Sequence, residues 1–399
     1  MTPIRIRIAI VLLILTQLVG TTGALAQEVP ELQINSKRYI VVDMDSGEVF
    51  AQRGARDKVA IASLTKVFTA AQAMEMAPLD TPITTADSDL RSPEGDYFGS
   101  AGTLMGFGVG ETYTLEDMIY GMLLPSGNDA ANAIARTLGA RPGDSATEAT
   151  QRFMDAMNQR FEDLGLRDTH LVNPHGWGVP NHFSSAWDVA AFARYLADNE
   201  TLLGIMGAKK YVTSNELLSL SNTNRLLTDY APIVGGKTGY DLDAGYCLLN
   251  IASQQDRRMI AVTLDGIAPG DWYDDNRVLL EYGFDQKSAL LAANDPFDGD
   301  VVSFIDPAVA ELARAGGPSG SRAPVAGAVS APGSGATDPA PVVPGTDETA
   351  GDPRTAVSPG AATWMLATLA IALVGYRGLL SFNRPTPSRR HVDMSSEAA

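Results

Sequence analysis

Residues 316–360 set the first limit on what this chain can fold into. They comprise nine Gly, eight Pro, eight Ala and nine Ser or Thr, with no aromatic side chain. Such a segment cannot bury enough apolar surface to offset the entropy lost on ordering it. We read it as a Pro/Gly/Ala-rich disordered linker with an end-to-end distance of roughly 35–40 Å. Its two sides differ sharply. Beyond it, residues 361–376 carry no charge, and continuing to 382 gives 22 residues. As a helix that stretch is about 33 Å long, enough to cross a bilayer. Arg377 can snorkel to the interface, and Arg384, Arg389 and Arg390 follow, a positive excess that predicts a cytoplasmic tail over 383–399. A cleavable sorting signal would have the same appearance.

The other end carries an export signal. Arg5 and Arg7 precede an apolar run over 8–20, and Ala24-Leu25-Ala26 offers a small-x-small cleavage pattern before Gln27, so 1–26 reads as a signal peptide. The foldable stretch is therefore 27–315, enough for one substantial core. Its chemistry is bounded by composition. A net charge of −17, from 30 Lys plus Arg against 47 Asp plus Glu, would be repelled by phosphate backbones and argues against nucleic-acid binding. Cys247 is the one cysteine, which excludes an intramolecular disulfide and any cysteine-based metal cluster.

Within that stretch, 38–43 and 48–52 are β-rich runs joined by Asp45-Ser46-Gly47, a hairpin signal. Residues 63–76 read as a helix with Leu64, Val67, Phe68 and Ala71 on one face. Residues 115–124, 130–138 and 186–198 read as further helices, the first two separated at Pro125-Ser126-Gly127-Asn128. Three strands follow at 233–240, 245–253 and 258–264. A strand pair, then helices, then strands is an order in which the first and last strands can share one sheet.

Three short patterns carry chemistry. In Ser63-Leu64-Thr65-Lys66 the first and last residues face the same side of a helix. Lys66 can then reach the Ser63 hydroxyl, near free backbone N–H groups suited to an anionic intermediate. Serine is a weak nucleophile and needs a base, and lysine serves only if burial or a second cation lowers its pKa. Alone, the pattern is equally an N-cap serine with an exposed lysine. Ser126-Gly127-Asn128 places a hydroxyl and a carboxamide at a loop tip, and alone reads as a turn and a cap. Lys237-Thr238-Gly239 ends an apolar strand. There Lys237 supplies a second positive charge, able to hold a substrate carboxylate and to lower the pKa of Lys66. Thr238 offers a hydroxyl, and Gly239 lets a substrate backbone lie close.

In this order, the three patterns are the set shared by penicillin-binding proteins and class A β-lactamases. The chain resembles low-molecular-mass penicillin-binding proteins, specifically D-alanyl-D-alanine carboxypeptidases of serine peptidase family S11. The stretches that carry the likeness include ASLTKVFTA, YGMLLPSGNDAANAIA, NTNRLL, GGKTGYDLDAGYCLLNIA and LEYGFD, within roughly residues 35–285. The resemblance implies an α/β (α+β) fold of the β-lactamase/transpeptidase type: a five-stranded antiparallel sheet flanked by helices, plus an all-α subdomain. It implies a penicillin-binding catalytic domain over 27–290, with 291–315 as a short appendage. It makes Ser63 the acylated nucleophile, Lys66 its base and Ser126 the proton relay to the leaving group. Asn128, Lys237, Thr238 and Gly239 would bind substrate, and the backbone N–H groups of Ser63 and Tyr240 would form the oxyanion hole. Ile61 stands where many relatives have proline. The β-rich second domain that relatives often carry has no room before the linker.

The expected activity is removal of the terminal D-alanine from peptidoglycan pentapeptide stems, with β-lactams as acylating inhibitors and no cofactor. The chain would act on the extracytoplasmic face of a bacterial membrane. A DD-endopeptidase acting on crosslinks uses the same residues and stays open as an alternative. So, with less support, does an inactive wall-binding module. A class A-like β-lactamase would need a Glu-x-x-Leu-Asn element, which the nearest candidate, Glu162 to Leu166, lacks. His170, His175 and His182 read as loop-packing residues rather than metal ligands, Cys247 as a buried thiol, and Trp177 and Phe183 as either groove or core.

Overall fold

The computed structural model describes residues 32–99, 102–267 and 271–306. β1 (Arg38–Asp43) and β2 (Val49–Arg53) form the opening hairpin. A 3-10 turn at Ala62–Leu64 leads into α1 (Thr65–Met76). β3 (Pro82–Thr84) and β4 (Thr112–Thr114) make a small ribbon, followed by α2 (Leu115–Leu123), α3 (Asn128–Gly139) and α4 (Ala146–Leu164). Next come α5 (Ala186–Tyr195), α6 (Glu200–Gly207), a ribbon of β5 (Lys210–Val212) and β6 (Ser219–Ser221), and the one-turn α7 (Leu226–Asp229). β7 (Ile233–Asp241), β8 (Gly245–Gln254), β9 (Arg257–Gly266) and α8 (Asp271–Ala293) complete the elements.

Element ends follow local chemistry. Thr114 and Ser145 accept hydrogen bonds from the amides of Asp117 and Glu148, whose carboxylates answer back, two capping boxes that fix where α2 and α4 begin. Gln255 and Asp256 turn β8 into β9 with φ of 53° and 60°. Two left-handed residues in succession give the primed turn whose twist matches that of the strands.

The main sheet is ordered β2-β1-β9-β8-β7, and each neighbouring pair is antiparallel. The first and last strands thus share one sheet, as the order of elements predicted, and lie side by side in it. Both faces are buried, and alternation along each strand decides which core a residue joins. Ile40, Val42, Leu249, Ile251, Ile260 and Val262 pack against α1 to α5. Val41, Leu248, Ala252, Met259 and Ala261 lie under Leu279, Leu280 and Phe284 of α8. Cys247 is wholly buried, and burial pushes its thiol up to about 12.

Residues 291–306 pack back on this body. The Val49 amide donates to Asp300 O, Val302 N to Gly47 O, and Ile305 N to Leu164 O. The signal peptide at 1–26, the linker at 316–360, the span at 361–382 and the tail at 383–399 lie outside the described residues. Among the described residues no helix is long and apolar enough to cross a membrane.

α1 is held by aromatic packing on one side. Phe68 stacks on Phe192 at 4.4 Å between ring centroids and meets Phe161 edge-on at 5.1 Å. Phe68→Ala should cost about 3–5 kcal/mol of stability, read as a lower midpoint in guanidinium unfolding with the slope unchanged.

Candidate active site

The site begins with strained backbone. Ala62 and Ser126 both have left-handed φ, 45° and 70°, a conformation that costs a non-glycine residue free energy and that the surrounding packing must enforce. At Ala62 the enforcement comes from the loop around residue 176. A Cβ on Gly176 would sit 1.9 Å from Ala62 O, so only glycine permits the contact. Asn173 Oδ1 accepts from the amides of His175, Gly176 and Trp177, which folds this loop onto the start of α1.

Ser63 therefore stands at the entry of α1, with Lys66 one turn on. Their Oγ and Nζ atoms are 2.7 Å apart. Lys66 is fully buried, and its Nζ also lies 2.8 Å from Asn128 Oδ1 and 2.8 Å from the carbonyl of His175. Burial holds its ammonium well below the usual lysine range, and the charge of Lys237 lowers it further, against an opposing pull from Asp129. Once Lys66 has given up its proton, valence assigns the contacts: a neutral amine has two N–H donors and one lone pair. Asn128 Oδ1 and the His175 carbonyl can only accept, so they take the two protons. The lone pair is left for the Ser63 hydroxyl.

A second serine–lysine pair lies alongside. Ser126 occupies the break between α2 and α3, strapped from the opposite side by residues 103–106. Thr103 Oγ1 donates to Ser126 O, and Asp129 accepts from the amides of Met105 and Gly106. Lys237 reaches over from β7 and donates to Ser126 Oγ at 2.9 Å and to the Thr238 carbonyl at 2.8 Å. It is 1% exposed, and burial pushes its ammonium down to about 7. β7 is an edge strand, and it lies directly against the start of α1. A Cβ on Gly239 would be 3.1 Å from the Ser63 amide nitrogen, so a side chain there would crowd the backbone donor beside the serine.

Ser63, Ser126, Asn128, Thr238, Gly239 and Tyr240 all line one cavity of about 730 Å³. Lys66 and Lys237 sit behind it, each touching one of the two serines. The structure thus brings together every residue that the motifs singled out. Trp177 lines the cavity as well, whereas Phe183 packs on His170 with ring centroids 6.1 Å apart. His182 is structural: Nε2 meets Thr65 Oγ1 at 2.9 Å, Nδ1 accepts from the Val172 amide, and burial pushes the ring down to about 3. Among the described residues no group of three His, Cys, Asp or Glu could hold a metal ion. Thr103, Thr223, Trp272 and Tyr273 also line the cavity, and none was singled out from the sequence. Only the NTN run around Thr223 hinted at the site.

A family model described as D-alanyl-D-alanine carboxypeptidase matches residues 24–268. D-alanyl-D-alanine carboxypeptidase DacF of Bacillus subtilis is 30% identical over 259 residues, which are 64% of this chain and 64% of that protein. DacA of Escherichia coli K12 is 31% identical over 63% of this chain and 61% of its own length. The chain thus spans less than two thirds of these two relatives. Among solved structures, the D-alanyl-D-alanine carboxypeptidase from Mycobacterium tuberculosis H37Rv superposes with a TM-score of 0.57 at 27% identity, covering 65% of this chain and 95% of that one. The Streptomyces K15 DD-transpeptidase gives 0.57 at 25% identity, covering 63% and 98%.

The geometry around Lys66 makes a directional prediction. Acylation of Ser63 by penicillin, followed by intact mass, should rise with pH as Lys66 loses its proton. Lys66→Arg keeps the charge but cannot release a proton near neutrality, so acylation should fall at least about 100-fold.

Proposed function

Because the chain belongs to the D-alanyl-D-alanine carboxypeptidase family of serine peptidases, we propose that it removes the terminal D-alanine of peptidoglycan pentapeptide stems. The observation that carries this reading is the 2.7 Å contact between Ser63 Oγ and a buried Lys66, with the two other partners of Lys66 able only to accept.

In this mechanism Ser63 Oγ attacks the carbonyl carbon of the penultimate D-alanine while Lys66 Nζ takes the hydroxyl proton. The amides of Ser63 and Tyr240 receive the oxyanion, a contribution of about 3–4 kcal/mol per donor in comparable sites. Collapse breaks the C–N bond to the terminal D-alanine; its nitrogen takes the Ser126 hydroxyl proton, Ser126 is refilled with the proton that Lys66 gained, and Lys66 is neutral again. Water then attacks the ester with Lys66 again as base, which frees the shortened stem and the serine. Asn128, Lys237, Thr238 and Gly239 hold the substrate, and Lys237 meets its terminal carboxylate. A β-lactam acylates the same oxygen through its ring amide, so penicillin is the natural probe. No step calls for a cofactor or metal.

The proposed setting is extracytoplasmic. Residues 1–26 direct export, 27–290 form the penicillin-binding catalytic domain, 291–315 a short appendage and 316–360 the tether. A span at 361–382 fixes the chain in the membrane, and 383–399 stay in the cytoplasm. Composition alone supports this arrangement.

Two experiments test the proposal. Pentapeptide monomers and crosslinked dimers are incubated in parallel and followed by mass. D-Alanine should leave the monomer, with no release by Ser63→Ala. A crosslinked stem lacks the terminal carboxylate and that charge-assisted contact, worth about 1.5–3 kcal/mol, so dimers should be cleaved roughly ten- to a hundredfold more slowly. Faster loss of dimers would make the enzyme an endopeptidase. Separately, a chain truncated after Ala315 should stay soluble and label with penicillin while the full chain pellets with membranes. A truncated chain that still pelleted would remove the anchoring role of 361–382.

A further inference from the structure

The corner of the cavity beside Lys237 holds a residue outside the three motifs. Thr223 Oγ1 lies 2.6 Å from Thr238 Oγ1, and both residues line the cavity that contains Ser63. We propose that Thr223 is a second substrate-binding hydroxyl, which with Thr238 and Lys237 selects a free terminal carboxylate. This rests on the carboxypeptidase reading of the same site.

Counting donors supports it. Two hydroxyls in contact share one proton between their oxygens, and the acceptor's own proton must point elsewhere. Among the described residues neither oxygen has another hydrogen-bond partner, so that O–H is available to the cavity, polarised by the bond it accepts. Lys237 uses two of its three N–H donors, on Ser126 Oγ and the Thr238 carbonyl. One O–H is thus unspent at the cavity wall and, while Lys237 is charged, one N–H just behind it. A carboxylate brings two acceptor oxygens and a charge to them. An amide in the same place brings one acceptor and no charge.

Thr223 is also held where this requires. Its amide donates to the Leu124 carbonyl at the end of α2, and its carbonyl accepts from the Tyr273 hydroxyl at 3.0 Å. The next residue, Asn224, is buried and starts a chain of amides. Asn224 Nδ2 donates to Asn250 Oδ1 at 2.7 Å in β8, and Asn250 Nδ2 to Asn276 Oδ1 at 2.9 Å in α8. The hydroxyl is exposed to the cavity while its backbone is tied to the end of α2 and to α8 and the next side chain to β8, so little ordering cost remains to be met on binding.

The test uses Thr223→Val, which keeps the shape and removes the hydroxyl, with Thr223→Ser as the restoring variant. Acylation rates are measured with benzylpenicillin and with its methyl ester, alongside kcat/KM on a peptide ending in D-Ala-D-Ala and on its C-terminal amide. Thr223→Val should slow acylation by the acid about tenfold and leave the ester within twofold, with Thr223→Ser close to wild type. The peptide and its amide should divide in the same way. An equal fall on acid and ester, or no fall on the acid, overturns the assignment. A wild-type chain that is acylated but releases no D-alanine overturns the carboxypeptidase reading and leaves the Thr223 comparison standing on the penicillin pair. A wild-type chain acylated by neither compound overturns both.

Discussion

Two lysine amino groups are buried where α1 meets the edge of the sheet, and the rest of the site is arranged around that cost. Taking an isolated ammonium out of water costs several kcal/mol even after relaxation. A carboxylate partner could offset this, yet the hydrogen-bond partners of Lys66 and Lys237 among the described residues are all neutral oxygens. The result is a lowered proton affinity at both positions, by burial at each and by their mutual repulsion at Lys66. An ion pair would have stabilised the charge and held the amine protonated. With no carboxylate paired to it, Lys66 suits the role of base in the proposed reaction. Asp129 is near enough to oppose the shift, but its oxygens are engaged by the amides of Met105, Gly106 and Ala130.

The fold bears this cost because its core is large and closed on both sides. α5, with the core of α1 to α4 behind it, closes one face of the sheet and α8 the other, so the strand that carries Lys237 is fixed by its neighbour β8 and by what lies beneath it. β7 keeps its outer edge free, and that edge faces Ser63. A central strand could not have done this, since both of its edges are taken by ladder hydrogen bonds. β1 pairs with β9 and leaves the far end of the sheet to β7.

Much of this was legible in the residues. The hairpin, the helices after Ser63 and before and after Ser126, and the three closing strands have strong apolar periodicity, and each falls within a few residues of its predicted place. The helix read from Ser63 begins as a 3-10 turn, because Ala62 is pinned in a left-handed conformation by Gly176, a contact between positions more than a hundred residues apart that no local pattern encodes. α8 was not predicted. One stripe of it, Leu279, Leu280 and Phe284, is buried, while Asp274, Arg277 and Glu281 pair along it, and the mixture weakens the periodic signal. The motif residues converge as their spacing suggested, whereas Thr103 and Thr223 enter the cavity from loops whose sequence has no period.

In the proposed reaction Lys66 acts as a base and Lys237 as a cation, and the contacts of the two amines differ in a way that suits those roles. The difference lies in what each amine has left after its fixed partners are served. Lys66 faces two obligate acceptors and one hydroxyl, a set that a neutral amine satisfies completely and that leaves its lone pair on Ser63. Lys237, when charged, has a hydroxyl and a carbonyl as partners, which leaves one N–H without a partner among the described residues. In the proposed reaction, a substrate carboxylate arriving at that donor favours the protonated form of Lys237. The two ammonium groups repel, so charge fixed on Lys237 disfavours a second proton on Lys66. In that proposal, binding of the correct terminus would set which lysine is charged before Ser63 gives up its proton.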